Sequence, residues 1–269
     1  MLAKRVASAL VFIPVCLMIV ILGGWLFTVS AALILCVAAW EFWRMFTQEQ
    51  NSPNAYILIG GVGMLSLARA FPTHDLAGFV LSLFVLCAMG IHTLAYEKGA
   101  NHAATDFAIT VSGLIYVGWL GSYLILLRFL PDGLYWIILS ILGVGFSDMG
   151  AYLIGSTIGK HKISTRVSPG KSLEGYLGGV VCAVVFGAIF GLLVEPHSPS
   201  ITPLIGAILC LVVSVVAIMG DMGESMLKRQ FNLKDSSNLI PGHGGILDRI
   251  DTWLWAGAIS YYLIIWFWI

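Results

Sequence analysis

Long apolar runs, broken by short joins rich in Gly, Pro, Ser and charge, repeat along the whole chain. A helix needs roughly 17–25 residues to cross the hydrocarbon core of a bilayer. Runs of that order predict about nine spans, near 6–23, 25–46, 55–71, 76–95, 106–128, 133–158, 175–194, 201–229 and 250–269. Only Gly23-Gly24 separates the first two, so that turn is tight. Breakers mark other joins: Ser52-Pro53-Asn54, Pro72, Gly99-Ala100-Asn101, Pro131-Asp132-Gly133 and Glu195-Pro196-His197-Ser198-Pro199. The third run is short. The eighth, at ~1.5 Å per residue, extends about 43 Å, so its end should project past the membrane. The pattern predicts an all-α, polytopic membrane helix bundle. It has no internal repeat and no linker, and so reads as one integral domain over 1–269. Within it, 1–130 are N-terminal helices, and 131–269 carry two polar loops, 159–175 and 229–249.

Composition sharpens this reading. The chain is 59% hydrophobic and 10% charged, with a mean hydropathy of +0.93. Soluble domains carry about 25% charged residues. Net charge is zero, so bulk charge implies neither nucleic acid nor an acidic partner. Cys16, Cys36, Cys87, Cys182 and Cys210 lie inside apolar runs without metal-type spacing, and read as small buried hydrophobes. Lys4-Arg5 and the run after them resemble a signal peptide. The run exceeds the ~7–15 residues of a signal core, so a retained first helix is expected.

Basic residues orient the bundle. With nine spans and the N-terminus inside, Lys4, Arg5, Arg44, Lys98, Lys160, Lys162, Arg166, Lys171, Lys228, Arg229, Lys234 and Arg249 face the cytosol. Arg69 and Arg128 face outward. Twelve of the fourteen Lys and Arg on one side is a strong positive-inside bias.

The remaining charge is concentrated in a few segments. Asp221, Glu224, Ser225 and Lys228 fall at i, i+3, i+4 and i+7, on one helical face. A surface salt bridge accounts for that spacing; so does a carboxylate holding a cation beside a lysine holding phosphate. Asp248 and Asp251 open the last run after Gly244-Gly245, which lets backbone N–H groups approach an anion. Helix capping explains either carboxylate alone. Together, hard oxygen ligands suit Mg²⁺, which takes one or two carboxylates plus substrate phosphates. Asp148 lies deep in the sixth run, where an ion costs ~2.5–3.5 kcal/mol on insertion scales. It serves either as a structural partner of a neighbouring helix or as part of a site. The loop from Gly159 through Arg166, Ser168, Lys171 and Ser172 to Gly175 is basic and rich in Gly and Ser. Gly170-Lys171-Ser172 is not a P-loop, since Thr165 stands where the first Gly belongs. It still suits phosphate at a helix start.

At these residues the chain resembles the phosphatidate cytidylyltransferase (CDP-diacylglycerol synthase) family. The resemblance rests on Ser225-x-Leu227-Lys228-Arg229-x4-Lys234-Asp235 and Pro241-x-His243-Gly244-Gly245-x-x-Asp248-Arg249-x-Asp251. Asp148-x-x-Ala151-Tyr152 and Ser168-Pro169-x-Lys171-Ser172-x-Glu174-Gly175 add to it. It covers about residues 145–251 closely. The resemblance implies transfer of CMP from CTP to phosphatidate, releasing pyrophosphate, with Mg²⁺ and with the number of metal ions left open. It implies Asp221, Asp248 and Asp251 as metal ligands, with Asp221, Asp248, Lys228 and Lys234 in catalysis. Ser168, Lys171, Ser172, Arg166, Arg229, His243, Gly244, Gly245 and Asp148 would then bind substrate or phosphate. A homodimer in a bacterial inner membrane, with its site facing the cytosol, is expected. A transporter is the main rival, but the paired broken helices of inverted repeats are not seen. A CTP-dependent lipid kinase is a second rival; it would release CDP.

Overall fold

The computed structural model describes residues 14–47, 50–71, 75–240 and 244–269. Apart from two isolated β-bridges, the regular structure among these residues is helical. In chain order the helices are α1 (14–22), α2 (Gly24–Phe46), α3 (Ala55–Ala68), α4 (Leu76–Glu97) and α5 (Ala103–Gly113). A π-helical segment (Leu114–Trp119) joins α5 to α6 (Leu120–Phe129). Then follow α7 (Gly133–Ile158), α8 (Leu173–Val194), α9 (Pro203–Gln230) and α10 (Leu247–Phe267).

Eight of the nine expected runs, all but the first, match these elements closely, but among the described residues six helices meet both the length and the apolarity of a membrane span. These are α2, α4, the continuous Ala103–Phe129, α7, α8 and α9. Helix α3 has only 14 residues. Helix α10 begins with Asp248, Arg249 and Asp251, which lower its apolarity. The expected first span falls partly on residues 1–13, outside the described residues.

The chain divides into two compact units: Met1–Phe129 with Gln230–Ile250, and Leu130–Arg229 with Asp251–Ile269. The segment after α9 thus packs with the N-terminal helices.

In the first unit the Gly23-Gly24 turn is as tight as its sequence requires. Both glycines adopt positive φ, +64° and +55°, where a side chain is strained. Arg128 of α6 donates from Nε to Val20 O (2.8 Å) and from Nη2 to Ile21 O (3.1 Å). A cation thereby satisfies carbonyls that the end of α1 leaves unpaired. Arg69 is also held: its Nε donates to Ser122 Oγ (3.0 Å), and its guanidinium lies 4.2 Å from the Trp119 ring and 4.5 Å from the Tyr123 ring. The two basic residues on the sparse side of the charge count therefore both have built partners.

In the second unit α8 presents Gly175, Gly179, Ala183, Gly187 and Gly191, four residues apart and all buried. That spacing is one helical face. A Cβ on Gly175 would lie 2.7 Å from Ala151 O of α7, and one on Gly179 would lie 2.5 Å from Ser147 O. Farther along, a Cβ on Gly187 would meet Gly206 O of α9 at 2.2 Å, and one on Gly191 would meet Thr202 O at 2.5 Å. One glycine stripe brings α8 against α7 at one end and α9 at the other. Close backbone approach is how helices gain packing energy where lipid supplies no hydrophobic drive. Ser140 and Ser260 (2.9 Å) and the stacked rings of Trp136 and Trp268 join α7 to α10. At the start of α7, Asp132 accepts from Ser198 (2.5 Å) and Ser200 (2.6 Å). The Ser198 and then the Ser200 hydroxyl hold its carboxyl below the usual range.

The stripe makes a testable prediction. Gly187→Ala forces backbone apart and should destabilise by about 1–3 kcal/mol, the scale of overpacking. Gly145→Ala, on α7 with open space around its Cβ position, should be neutral or stabilising by up to about 1 kcal/mol. Thermal unfolding in detergent reads both. Equal effects would count against a packing role for the stripe.

Candidate functional site

The loop between α7 and α8 is closed on itself by hydrogen bonds. Ile163 N donates to Lys171 O (3.1 Å), and Leu173 N donates to His161 O (2.8 Å). Lys162 and Ser172 form a β-bridge. Glu174, in the first turn of α8, accepts from Lys160 N (3.0 Å), His161 N (3.2 Å) and His161 Nδ1 (2.5 Å). Ser172 caps α8, its Oγ accepting from Gly175 N at 3.2 Å. The loop returns to α8 where the helix start offers free N–H groups.

This loop covers one end of a cavity of about 720 Å³ bounded by α7, α8 and α9. Asp148, Lys162, Lys171, Ser172, Tyr176 and Asp221 line it. Lys171 and Asp221 form an ion pair, each about one-third exposed, 29% and 31%. Ser225 Oγ donates to Asp221 Oδ1 (3.3 Å). Asp148 lies within electrostatic range of both Asp221 and Lys171. The cavity thus holds paired positive and negative groups in an apolar frame, where charge acts more strongly than in water.

Below it on α9, Lys228 pairs with Glu224, which is 1% exposed. Asp251 of α10 is buried and within electrostatic range of Asp221, Lys228 and Asp148. Gly220 allows this approach: a Cβ there would lie 3.1 Å from Asp251 O and 2.7 Å from the Trp255 ring. The four-residue face Asp221, Glu224, Ser225 and Lys228 therefore folds as the spacing predicts, with Lys228 paired to Glu224 along the helix and Asp221 paired to Lys171 of the loop.

The first unit holds a second cluster, in the segment after α9. Asp248 Oδ2 accepts from Ser236 N (2.9 Å), Ser236 Oγ (3.0 Å) and Gly245 N (2.7 Å). Gly244 has φ +83°, and a Cβ on it would lie 2.8 Å from Asp248 Oδ2. Glu41, fully buried on α2, accepts from the Ser236 and Ser237 hydroxyls and from Ile246 N and Leu247 N.

The sequence-expected residues fall into three groups. Asp148, Lys171, Ser172 and Asp221 share the cavity; Lys228 and Asp251 lie in the same unit. Asp248, Gly244 and Gly245 share the loop of the first unit, where Lys234 is exposed. Arg166, Ser168 and Arg229 belong to the second unit, with Arg166 and Arg229 exposed. His243 lies outside the described residues. Sequence reasoning missed Glu41, Ser236 and Ser237. Glu41 did carry a signal, as the sole acidic residue of α2. An ionisable residue inside an apolar run marks a function or a buried partner.

Among the described residues, no three or more His, Cys, Asp or Glu side chains gather into a ready-made metal cage. What the second unit offers is carboxylate oxygen from Asp148, Asp221 and Asp251 beside lysine. That donor type suits Mg²⁺ shared with substrate phosphates.

Comparison with known proteins identifies the family. Residues 3–267 match the model of the cytidylyltransferase family. The phosphatidate cytidylyltransferase of Bacillus subtilis is 32% identical over 97% of this chain and 97% of its own length. That of Pseudomonas aeruginosa is 35% identical, over 94% and 93%. That of Synechocystis is 31% identical, over 97% and 96%. A match of this extent takes in the polar loop, the cavity and the helices that carry them, and the chain belongs to the cytidylyltransferase family.

Proposed function

We propose that the protein transfers CMP from CTP to phosphatidate, giving CDP-diacylglycerol and pyrophosphate in phospholipid synthesis. The observation that carries this reading is the cavity, with Lys171 and Lys162 beside Asp148 and Asp221 among apolar helices. The family membership and the names of the relatives support the same reading.

The chemistry asks for neutralisation and alignment. A phosphate monoester has a second pKa of about 6, so phosphatidate is mostly dianionic at neutral pH. An oxygen of that phosphate attacks the α-phosphorus of CTP. A new P–O bond forms, the α–β bridging P–O bond breaks, and pyrophosphate leaves with the electron pair. No strong general base is required. Lys171 and Lys162 in the cavity would hold phosphate oxygens and lower the repulsion between the two anions. Lys228 and Lys234 are assigned the same kind of role, as are Arg166, Arg229, Ser168 and the His243-Gly244-Gly245 stretch, on the motif. Asp221 and Asp251 would hold Mg²⁺ together with substrate phosphates. Asp248, one helical turn before Asp251, joins them on the motif alone. Bound there, Mg²⁺ would neutralise phosphate charge as it develops.

The proposal extends to a nine-span, homodimeric protein with its N-terminus and site in the bacterial cytosol. The one-sided distribution of Lys and Arg supports the orientation. The dimer rests on the family resemblance.

Three measurements test these statements. With α-labelled CTP and phosphatidate, the label should enter the lipid product as pyrophosphate is released. Label found in soluble CDP would instead identify a lipid kinase. Asp221→Asn and Asp248→Asn should each lower kcat by roughly 10²-fold or more, the scale of one dominant electrostatic stabiliser. Lys171→Ala should lower kcat/KM by more than about tenfold, about 1.4 kcal/mol. Wild-type rates with an unchanged Mg²⁺ midpoint in both Asn variants would move the metal elsewhere. For topology, single cysteines at exposed Thr165 and Asn238, in a cysteine-free background, should react with an impermeant reagent from the cytosolic side. A cysteine at exposed His197 should react from the other side. Labelling of Thr165 and His197 positions from one side would overturn the span count.

A further inference from the structure

Glu41 has no exposed surface, yet both its carboxylate oxygens are fully engaged. Oε1 accepts from Ser237 Oγ (2.5 Å) and Ile246 N (3.0 Å). Oε2 accepts from Ser236 Oγ (3.0 Å) and Leu247 N (2.6 Å). These donors come from two stretches of chain, Ser236-Ser237 and Ile246-Leu247. Leu247 N is also a free donor at the start of α10, so Glu41 caps that helix from another element. Gly245 is shaped to this arrangement, because a Cβ on it would lie 2.0 Å from Ser236 Oγ and 2.6 Å from Glu41 Oε1.

Ser236 links this carboxylate to a second one. Its hydroxyl lies 3.0 Å from Glu41 Oε2 and 3.0 Å from Asp248 Oδ2, while its backbone N–H also reaches Asp248. A hydroxyl has one proton to donate, so Ser236 serves the two carboxylates in turn. Asp248 therefore stands where Ser236 and Gly245 put it, and both are fixed by or fitted to Glu41.

We infer that Glu41 is a positioning residue for nucleotidyl transfer: it clamps Ser236-Ser237 to Ile246-Leu247 and thereby sets Asp248. The inference rests on the assignment of Asp248 to the reacting site. It also explains why a carboxylate stands there. Four donors converge on two oxygens, and a Gln amide would turn an NH₂ group toward donors.

The test compares Glu41→Gln with Asp248→Asn and the unaltered protein, all purified in the same lipid–detergent mixture. Amide exchange at Ile246 and Leu247, the Mg²⁺ midpoint, kcat, the KM for CTP and the thermal midpoint are measured on each. In Glu41→Gln the two amides should exchange at least about tenfold faster, since their opening is no longer opposed. The Mg²⁺ midpoint should rise severalfold and kcat should fall by about tenfold or more. The thermal midpoint should move by only a few degrees. Loss of folded enzyme alone would scale kcat and leave the Mg²⁺ midpoint in place, and that result overturns the inference. Faster exchange with unchanged kcat and midpoint overturns it as well. If Glu41→Gln fails to insert, Ser237→Ala removes one of the four donors and should shift exchange and midpoint in the same direction, by less; no shift in either again overturns the clamp. Asp248→Asn separates the two levels. If it is impaired while Glu41→Gln is normal, only the positioning role falls. If Asp248→Asn itself keeps full activity, the assignment of Asp248 falls and this inference falls with it.

Discussion

A charge taken out of water costs several kcal/mol unless protein groups replace the solvent around it. In this chain the buried Glu41 carboxylate is the clearest case. Four donors surround it, and hydrogen bonds to a charged group are worth roughly 1.5–3 kcal/mol each. Together these offset its desolvation, and the offset is available only if α2, the Ser236-Ser237 limb and the start of α10 stay in register. The segment Gln230–Ile250 consequently packs with the N-terminal helices although it is adjacent in sequence to α9. The same requirement explains Arg69 over Trp119 and Tyr123, and Arg128 on the carbonyls of Val20 and Ile21. Each ion sits where a partner is already built.

The glycine stripe of α8 answers a different requirement. Between apolar helices in lipid there is no water to expel, so packing energy depends on how closely the backbones approach. Gly175 and Gly179 set α8 against α7, and Gly187 and Gly191 set it against α9. The cavity lies among the same three helices, on the side where the stripe meets the 159–172 loop. Its width follows from side chains that are absent. Adding one methyl at Gly187 therefore changes helix spacing, not just local packing.

Much of this was legible from the chain itself. Apolar run length gave helix positions within a few residues, because in a membrane each backbone polar group must be satisfied within its own helix. The tight Gly23-Gly24 turn was legible because no other pair tolerates two positive φ angles so readily. The face of Asp221, Glu224, Ser225 and Lys228 was legible because helical spacing is local. Glu41 was not, because its partners stand about two hundred residues away, the separation between Glu41 and Ser236 being 195. Nor did spacing reveal that Asp248 faces Ser236 and Gly245, since a helix-start Asp reads the same whether it caps its own turn or organises a loop. The π-helical segment carries no composition signal, and Trp119 at its end lies 4.2 Å from the Arg69 guanidinium.

The two lysine–carboxylate pairs of the second unit differ in how firmly each lysine is held. Lys171 and Asp221 are 29% and 31% exposed, so solvent reaches the pair and weakens it. This pair is therefore the easier of the two to separate. Lys228 and Glu224 are 11% and 1% exposed, and removing one partner from a pair that buried costs about 3–5 kcal/mol. Lys228 therefore stays with Glu224, close enough for its charge to be felt by Asp251. Lys171 is thus the more loosely held cation and Lys228 the fixed one. The difference follows from exposure, because the two pairs are chemically alike.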